Sequence, residues 1–206
     1  VTFPQYSKKI TININNGEIS GNKVTEGSGG AVAAFFGETE LNINGGTLTK
    51  NSALNNGGGV FLWQATNVTI SAVTQTGGSI ENNVANVGGG VCGGTYTMTG
   101  GVIKDNNNSL TETERLAAKG DGVYVGTAFN LGNDAEISTN NDVYLVQGTS
   151  VPKEGRYINV ISPYTGASNA KPIQIHSEDR TVENTEIGTQ LVRYTTDAGG
   201  VAAAAK

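Results

Sequence analysis

A hexapeptide of the form Gly-x-(Ile/Leu)-x-x-Asn occurs four times in the first half of this chain. The copies begin at Gly17, Gly46, Gly78 and Gly101 and end at Asn22, Asn51, Asn83 and Asn106. A pattern that returns every few tens of residues is typical of a stacked repeat, in which each unit contacts only its neighbours. The repeat therefore predicts a scaffold, and the function has to be inferred separately from a site.

A second motif, Gly-Gly-(Ala/Gly)-Val or Gly-Asp-Gly-Val, follows each hexapeptide. Its valines, spaced by 28, 31 and 32 residues, are Val32, Val60, Val91 and Val123. Short segments that alternate apolar and polar residues complete the unit, at residues 10–14, 41–43, 68–70, 96–98 and 129–131. Three short strands per unit with Gly and Asn corners match one coil of a parallel β-helix. Leucine-rich repeats need more Leu, propeller blades need antiparallel hairpins, and helical repeats need helix formers.

Equivalent strands of successive coils are expected to pair, so that equivalent side chains stack along the axis. The predicted interior columns are Ile19, Leu48, Ile80 and Ile103 in one strand, and Val32, Val60, Val91 and Val123 in another. The Asn that ends each hexapeptide is expected to form a ladder of hydrogen-bonded amides at one corner. We interpret this ladder as structural rather than as a ligand site. Residues 135–140 form a fifth, degenerate copy that ends at Asn140.

The composition changes near residue 150. Of the 30 Gly residues, 25 lie in residues 1–149, and no Pro occurs between Pro4 and Pro152. Proline cannot donate to a strand ladder, whereas Gly and Asn tolerate left-handed corners. We therefore expect parallel β-helix repeats in residues 1–149 and terminal coils or a β-rich cap in residues 150–206. The chain is predicted to be all-β, a solenoid of about five to seven coils, and part of a larger multidomain protein.

The fourth repeat carries an insertion. Asn106 and Val123 are 17 residues apart, against 10, 9 and 8 residues in the three preceding units. The inserted residues 109–119 open with Ser109-x-x-Glu112, which has the form of a helix capping box, and they are otherwise helix-prone. We predict a short helix that projects from one corner. It is either a candidate interaction surface or a tolerated surface excursion.

Charge and cysteine content exclude several classes of protein. The net charge is −5, and no basic face is present for a nucleic-acid partner. Cys92 is the only cysteine, so no intrachain disulfide forms, and we expect it to be a small buried residue. His176, the only histidine, lies in the other segment, which argues against a cysteine nucleophile. The sequence contains no apolar run long enough to span a membrane.

The paired motifs Gly-Gly-(Ala/Gly)-Val and (Ile/Leu)-x-x-Asn of residues 10–149 resemble two groups of surface proteins. They are similar to the repeats of the chlamydial polymorphic outer-membrane proteins, and more closely to the β-helix repeats of large surface proteins of gut Gram-positive bacteria. The resemblance implies a right-handed parallel β-helix of the pectate-lyase-like kind. It also implies an extracellular location on the bacterial cell surface, with a role in adhesion or as a stalk.

Enzymes also use this fold, so we searched the repeats for a catalytic cluster. The acidic residues on the repeats are Glu18, Glu81, Asp105, Asp121, Glu136 and Asp142. Glycan hydrolysis needs two carboxylates at a set separation, and lyases need clustered Asp with a base. The sequence shows no Asp-Asp pair and no dense acidic run, and the phosphate-loop and calcium-nonapeptide motifs are absent. We therefore predict no catalytic residue, no cofactor site and no metal site.

Four aromatic residues are candidates for an outward-facing surface on which a sugar ring could stack: Phe35, Phe36, Phe61 and Trp63. Alternation from Val60 points Phe61 and Trp63 outward, but alternation from Val32 points Phe36 inward, so the two coils do not predict a shared surface of this kind.

Three functional hypotheses follow from the sequence. The first is a non-catalytic adhesin or stalk segment that binds a host glycan or surface protein through a side face or the corner insertion. The second is a carbohydrate-active β-helix enzyme, either a polysaccharide lyase or a glycoside hydrolase. The third is a purely structural spacer.

Overall fold

The described part of this chain is a solenoid of about five turns, built from stacked parallel strands. The computed structural model describes residues 9–35, 38–62, 72–107, 109–145, 158–164, 173–177 and 192–194. Within these residues every strand pair is parallel, as the β-helix prediction requires. The prediction of an all-β parallel β-helix is confirmed.

Each coil contributes one short strand to each of three sheets. The first coil contains β1 (Ile10–Ile14), β2 (Glu18–Ser20), β3 (Lys23–Val24) and β4 (Val32–Ala34). The second contains β5 (Thr39–Ile43), β6 (Thr47–Thr49), β7 (Ser52–Ala53) and β8 (Val60–Leu62). The third contains β9 (Ala72–Gln75), β10 (Ser79–Glu81) and β11 (Val91–Cys92).

The later coils repeat this order with one helix added. The fourth contains β12 (Thr95–Met98), β13 (Val102–Lys104), α1 (Glu112–Ala117) and β14 (Val123–Val125). The fifth contains β15 (Ala128–Asn133), β16 (Glu136–Ile137) and β17 (Asp142–Leu145). The remaining described strands are β18 (Ile158–Tyr164), β19 (Gln174–Ser177) and β20 (Val192–Tyr194).

The three main sheets run along the axis in chain order. The first sheet is β1-β5-β9-β12-β15-β18-β20, the second is β2-β6-β10-β13-β16, and the third is β4-β8-β11-β14-β17-β19. A fourth, small sheet joins β3 to β7. The described strands beyond residue 150, β18, β19 and β20, extend the first and third sheets. The predicted boundary at residue 149 lies outside the described residues.

The interior columns follow the predicted register. The column of the second sheet is Ile19, Leu48, Ile80, Ile103 and Ile137, and the column of the third is Val32, Val60, Val91, Val123, Val143 and Ile175. Most of these side chains are fully buried. Burial of a Val, Leu or Ile side chain stabilises by about 1.5–3 kcal/mol, so the columns supply much of the driving force for stacking.

The third coil departs from the prediction in its first strand. The sequence pattern placed that strand at residues 68–70, which lie outside the described residues, and the structure pairs β9 with β5 and β12 instead. Gln75 points inward there and is fully buried, so the segment does not look apolar in the sequence. Its side-chain oxygen accepts a hydrogen bond from the Tyr96 hydroxyl, and burial raises the pKa of that phenol.

The glycine motifs serve two physical purposes. Gly57, the first Gly of its triplet, has φ +63°, in the left-handed region that favours glycine. Gly89, a middle Gly, has an ordinary backbone, but a Cβ there would lie 2.6 Å from the carbonyl oxygen of Asp121 in the next coil. The triplet therefore combines a left-handed corner with close approach of neighbouring backbones.

The predicted ladder of amides is present at the corner after the second sheet. The side-chain nitrogens of Asn22, Asn51 and Asn83 each donate to the side-chain oxygen of the next Asn, at 2.9–3.1 Å. Asn106 continues the ladder to Asn141 at 2.9 Å. The degenerate copy was aligned to end at Asn140, but the fifth coil carries one extra residue at this corner, so Asn141 is the ladder member.

Candidate functional site

The inserted segment of the fourth repeat contains the only α-helix among the described residues, as predicted for residues 109–119. Its capping box differs from the predicted Ser109–Glu112 pair. The Thr111 backbone N–H and hydroxyl both donate to the Glu114 carboxylate, at 2.8 and 2.7 Å, and α1 begins at Glu112. These two hydrogen bonds hold the pKa of Glu114 below its usual value. The motif Thr-x-x-Glu at 111–114 was visible in the sequence two residues further on.

The insertion forms one wall of a cleft on the outer side of the third sheet. The cleft has a volume of about 390 Å³ and is lined by Leu110, Glu112, Asp121, Asn140, Asp142, Gln174 and His176. The first two residues belong to the insertion, and the others come from the fourth coil, the fifth coil and β19. We name this the insert cleft. It lies where the repeat pattern breaks, beside the inserted residues 109–119.

A carboxylate–imidazole pair lies at the centre of the insert cleft. His176 Nδ1 lies 2.5 Å from Asp142 Oδ2, and the other oxygen of Asp142 accepts a hydrogen bond from the Asp121 backbone N–H. The Asp142 side chain is only 8% exposed, whereas His176 is 63% exposed. Asp142 is therefore buried and fixed by hydrogen bonds, and the imidazole is the member of the pair that faces solvent. A neutral imidazole donates from Nδ1 here, which leaves Nε2 as an acceptor.

Register brings this pair together from distant parts of the sequence. Asp142 pairs with Gln174 and Tyr144 pairs with His176 in the β17–β19 ladder, so all four side chains project from the outer face. Amide side chains fix the surrounding groups: Asn107 Nδ2 donates to Asp121 Oδ1 at 3.0 Å, and Asn140 Nδ2 donates to Asp105 Oδ1 at 2.5 Å. The polar rim is therefore partly pre-organised by coil-to-coil hydrogen bonds.

The structure separates the six acidic residues of the repeats. Asp121 and Asp142 line the insert cleft, and Asp105 adjoins it through Asn140. Glu18 and Glu136 lie at opposite ends of one column of the second sheet, and Glu81 lies in a different column of the same sheet. Sequence reasoning found no acidic cluster because Asp121 and Asp142 are 21 residues apart and meet only through stacking.

Glu81 is part of a separate ion pair. Its carboxylate accepts a hydrogen bond from the Ser79 hydroxyl at 2.6 Å and lies 3.1 Å from Lys104 Nζ. The Ser79 hydrogen bond, followed by Lys104, lowers the pKa of Glu81. This acid stabilises neighbouring coils and does not contribute to the cleft.

Aromatic residues lie on the outer side of the third sheet. Phe35 and Phe61 lie 5.4 Å apart with rings tilted by 56°, and Phe35 is 43% exposed. Tyr124 and Tyr144 stack in parallel at 5.6 Å, with Lys119 Nζ 5.7 Å from the Tyr144 ring centre. Phe36 and Trp63 lie outside the described residues.

Cys92 lies between Phe61 and Tyr124 in one column of the third sheet, and is buried as predicted. Burial raises the pKa of its thiol to about 12, which suits an unreactive packing residue.

Hydrogen-bonding groups and carboxylates characterise the insert cleft, with Leu110 as an apolar contact. Such a set can bind hydroxyl or amide groups of a sugar or peptide, and its Asp–His pair is capable of proton transfer. Among the described residues no group of three or more His, Cys, Asp or Glu is arranged to hold a metal ion. No helix in the described part of the chain is long and apolar enough to cross a membrane.

A scan of protein-family models gives no match to this chain, and comparisons with curated proteins and with solved structures give none either.

Proposed function

We propose that this chain is a non-catalytic segment of a bacterial cell-surface protein, an adhesin or stalk, that binds a host glycan or surface protein in the insert cleft. The observation that carries the proposal is the position of the cleft. Stacked side chains fill the described interior, and among the described residues a helix projects at one corner only. A site that the repeat does not require is the best candidate for a function beyond the scaffold.

The lining chemistry favours a ligand rich in hydroxyl and amide groups. Gln174 offers a donor and an acceptor, His176 Nε2 is an acceptor while Nδ1 donates to Asp142, and exposed Glu112 is an acceptor when ionised. Carboxylates and amides with two acceptor or donor atoms match neighbouring hydroxyl groups of a sugar or the backbone of a peptide. The acidic residues disfavour a polyanionic ligand, because like charges would be brought together.

The test is binding of the full chain to an array of host glycans and cell-surface proteins, with matched cleft variants. Gln174→Ala and His176→Ala remove exposed contacts without disturbing the buried columns, and we expect each to weaken binding by roughly tenfold, as for the loss of one or two hydrogen bonds. Glu136→Gln, an exposed change at the end of the second sheet, is the control and is expected to bind normally. Binding that survives all the cleft variants would place the ligand elsewhere, and absence of any binding would favour the structural spacer.

One observation favours the second hypothesis, a carbohydrate-active enzyme. The close Asp142–His176 pair shares its cleft with Asp121 and Glu112, and a carboxylate with an imidazole is a general acid–base arrangement. Incubation with pectin-like and host glycans, followed by measurement of new reducing or unsaturated ends, separates the two hypotheses. Product release that is lost in His176→Gln would replace the adhesin proposal with the enzyme.

A further inference from the structure

Asparagine followed by glycine is the least stable dipeptide of a folded chain toward deamidation, and this sequence contains three such pairs. They are Asn16-Gly17, Asn44-Gly45 and Asn56-Gly57. In the reaction the backbone nitrogen of the Gly attacks Cγ of the Asn. A bond forms between that nitrogen and Cγ, the bond from Cγ to Nδ2 breaks, and ammonia leaves with the proton from the nitrogen. Water then opens the succinimide to aspartate or isoaspartate.

Hydrogen bonds protect Asn56 and Asn44 from this reaction. Gly57 N–H donates to the carbonyl oxygen of Val87 at 2.8 Å, and Asn56 Nδ2 donates to Ser28 Oγ at 3.1 Å. A nitrogen held on a carbonyl, and an amide held on a hydroxyl, must both be released before the ring closes.

Asn44 is held on both sides of its amide. Its Nδ2 donates to Asn15 Oδ1 at 2.9 Å, and its Oδ1 accepts from the Thr76 hydroxyl at 3.0 Å. The following N–H, of Gly45, donates to the carbonyl oxygen of Ile14 at 3.3 Å. Although Asn44 is exposed, its side chain is fixed between two neighbouring coils.

Asn16 lacks each of these restraints. It lies in the turn between β1 and β2, the edge strands of the described first and second sheets, so a described coil adjoins it on one side only. Both Asn16 and Gly17 are exposed, and within the described residues neither the Asn16 amide nor the Gly17 N–H has a hydrogen-bond partner. We propose that Asn16 is a site of spontaneous deamidation in the folded protein, and that stacking protects Asn44 and Asn56.

The modification has a defined structural consequence. It adds a negative charge to an already acidic chain, and isoaspartate lengthens the backbone of the β1–β2 turn by one methylene. The carbonyl oxygen of Gly17 accepts a hydrogen bond from Thr47 N–H at 2.8 Å, which links this turn to the second coil. Deamidation therefore loosens the first coil and leaves the insert cleft unaffected.

Peptide mapping of the full chain tests the proposal. The native and the denatured protein are aged in the same mildly alkaline buffer, and deamidation at each of the three sites is followed by mass spectrometry. All three sites are expected to react at similar rates when denatured, since all three have Gly as the next residue. In the native protein Asn16 is expected to keep most of that rate, while Asn44 and Asn56 react more slowly by roughly tenfold or more. Equal native rates at the three sites, or an Asn16 that is slowed as much as the others, would overturn the proposal.

Three variants test the cause. Asn16→Gln is expected to abolish the deamidated form that accumulates first, because ring closure through the longer side chain of Gln is much slower. Thr76→Ala removes the hydrogen bond to Asn44 Oδ1 and Ser28→Ala removes the partner of Asn56 Nδ2, and each is expected to speed deamidation at its own site alone. If neither change raises the local rate, hydrogen bonding is not the source of protection and the inference fails.

Discussion

Each buried Asn of the ladder binds groups in two neighbouring coils at once. Asn83 donates to the Leu48 carbonyl at 2.9 Å and to Asn106 Oδ1 at 3.1 Å, while its own oxygen accepts from the backbone and side chain of Asn51. Asn83→Ala leaves at least two buried backbone groups without these partners, and we expect a loss of about 2–4 kcal/mol in the free energy of unfolding. Urea denaturation measures this loss in the free energy of unfolding. The control is Asn86→Ala at an exposed position, which is expected to cost under about 0.5 kcal/mol.

The buried thiol gives a pH-dependent prediction. Folding raises the pKa of Cys92 from 9.0 to about 12, so the unfolded chain loses this proton first as the pH rises. The contribution of the protonated thiol to the free energy of unfolding is fully present below pH 9.0. Above pH 9.0 this contribution falls by about 1.4 kcal/mol per pH unit, until the thiol of the folded protein also ionises. The free energy of unfolding of the wild type should therefore fall more steeply above pH 9.0 than that of Cys92→Ala. Parallel slopes would contradict the buried, protonated thiol.

Among the strands and the helix, the insertion is the element that the solenoid does not need. It joins Asn107 to Lys119, and the first three coils make the same connection with far fewer residues. Replacement of residues 109–118 by a short turn is expected to leave the unfolding temperature within a few degrees of the wild type, while it removes one wall of the insert cleft. Circular dichroism melting checks the first expectation and the glycan array checks the second. A large loss of stability would show that α1 supports the stack.

Local pattern predicted the strands well where the interior residue was apolar. Ile19, Leu48 and Val60 marked their strands, and the Gly and Asn corners marked the turns between them. The pattern failed at β9, because Gln75 faces inward with Tyr96 as its partner, and such a pair cannot be recognised from one strand alone. It also failed at Asn141, since one extra residue at a corner changes the alignment without changing the motif.

The insert cleft was predicted only in part. The insertion itself was visible from the spacing of Asn106 and Val123, and so was its helix. The pairing of His176 with Asp142 across the cleft could not be predicted, because the two residues are 34 positions apart and His176 follows no repeat motif. Only the pairing of β19 with β17 brings these residues together, and pairing at that distance depends on the lengths of the intervening loops.

Across the whole solenoid, stability is expected to be a sum of contacts between adjacent coils. Ile80 lies in the middle of its column and is fully buried, whereas Ile19 lies in the first coil and is only partly buried. Ile80→Ala is expected to lower the free energy of unfolding by about 2–5 kcal/mol, and Ile19→Ala by clearly less.

Native-state hydrogen exchange should show the same gradient from the middle coils to the first coil, with the slowest amides in β6, β10 and β13 and faster ones in β2. Uniform protection in all coils would indicate a single cooperative unit instead.

The amide ladder has a further consequence for how such a chain is inherited. From Asn22 to Asn106, each member donates from its side-chain nitrogen to the side-chain oxygen of the next Asn, so the junctions between these coils are made in the same way. A gene segment that encodes one complete coil can therefore be duplicated or lost without leaving a mismatch at either junction. Length becomes a trait that recombination can adjust in whole coils, independently of the sequence that builds the binding surface.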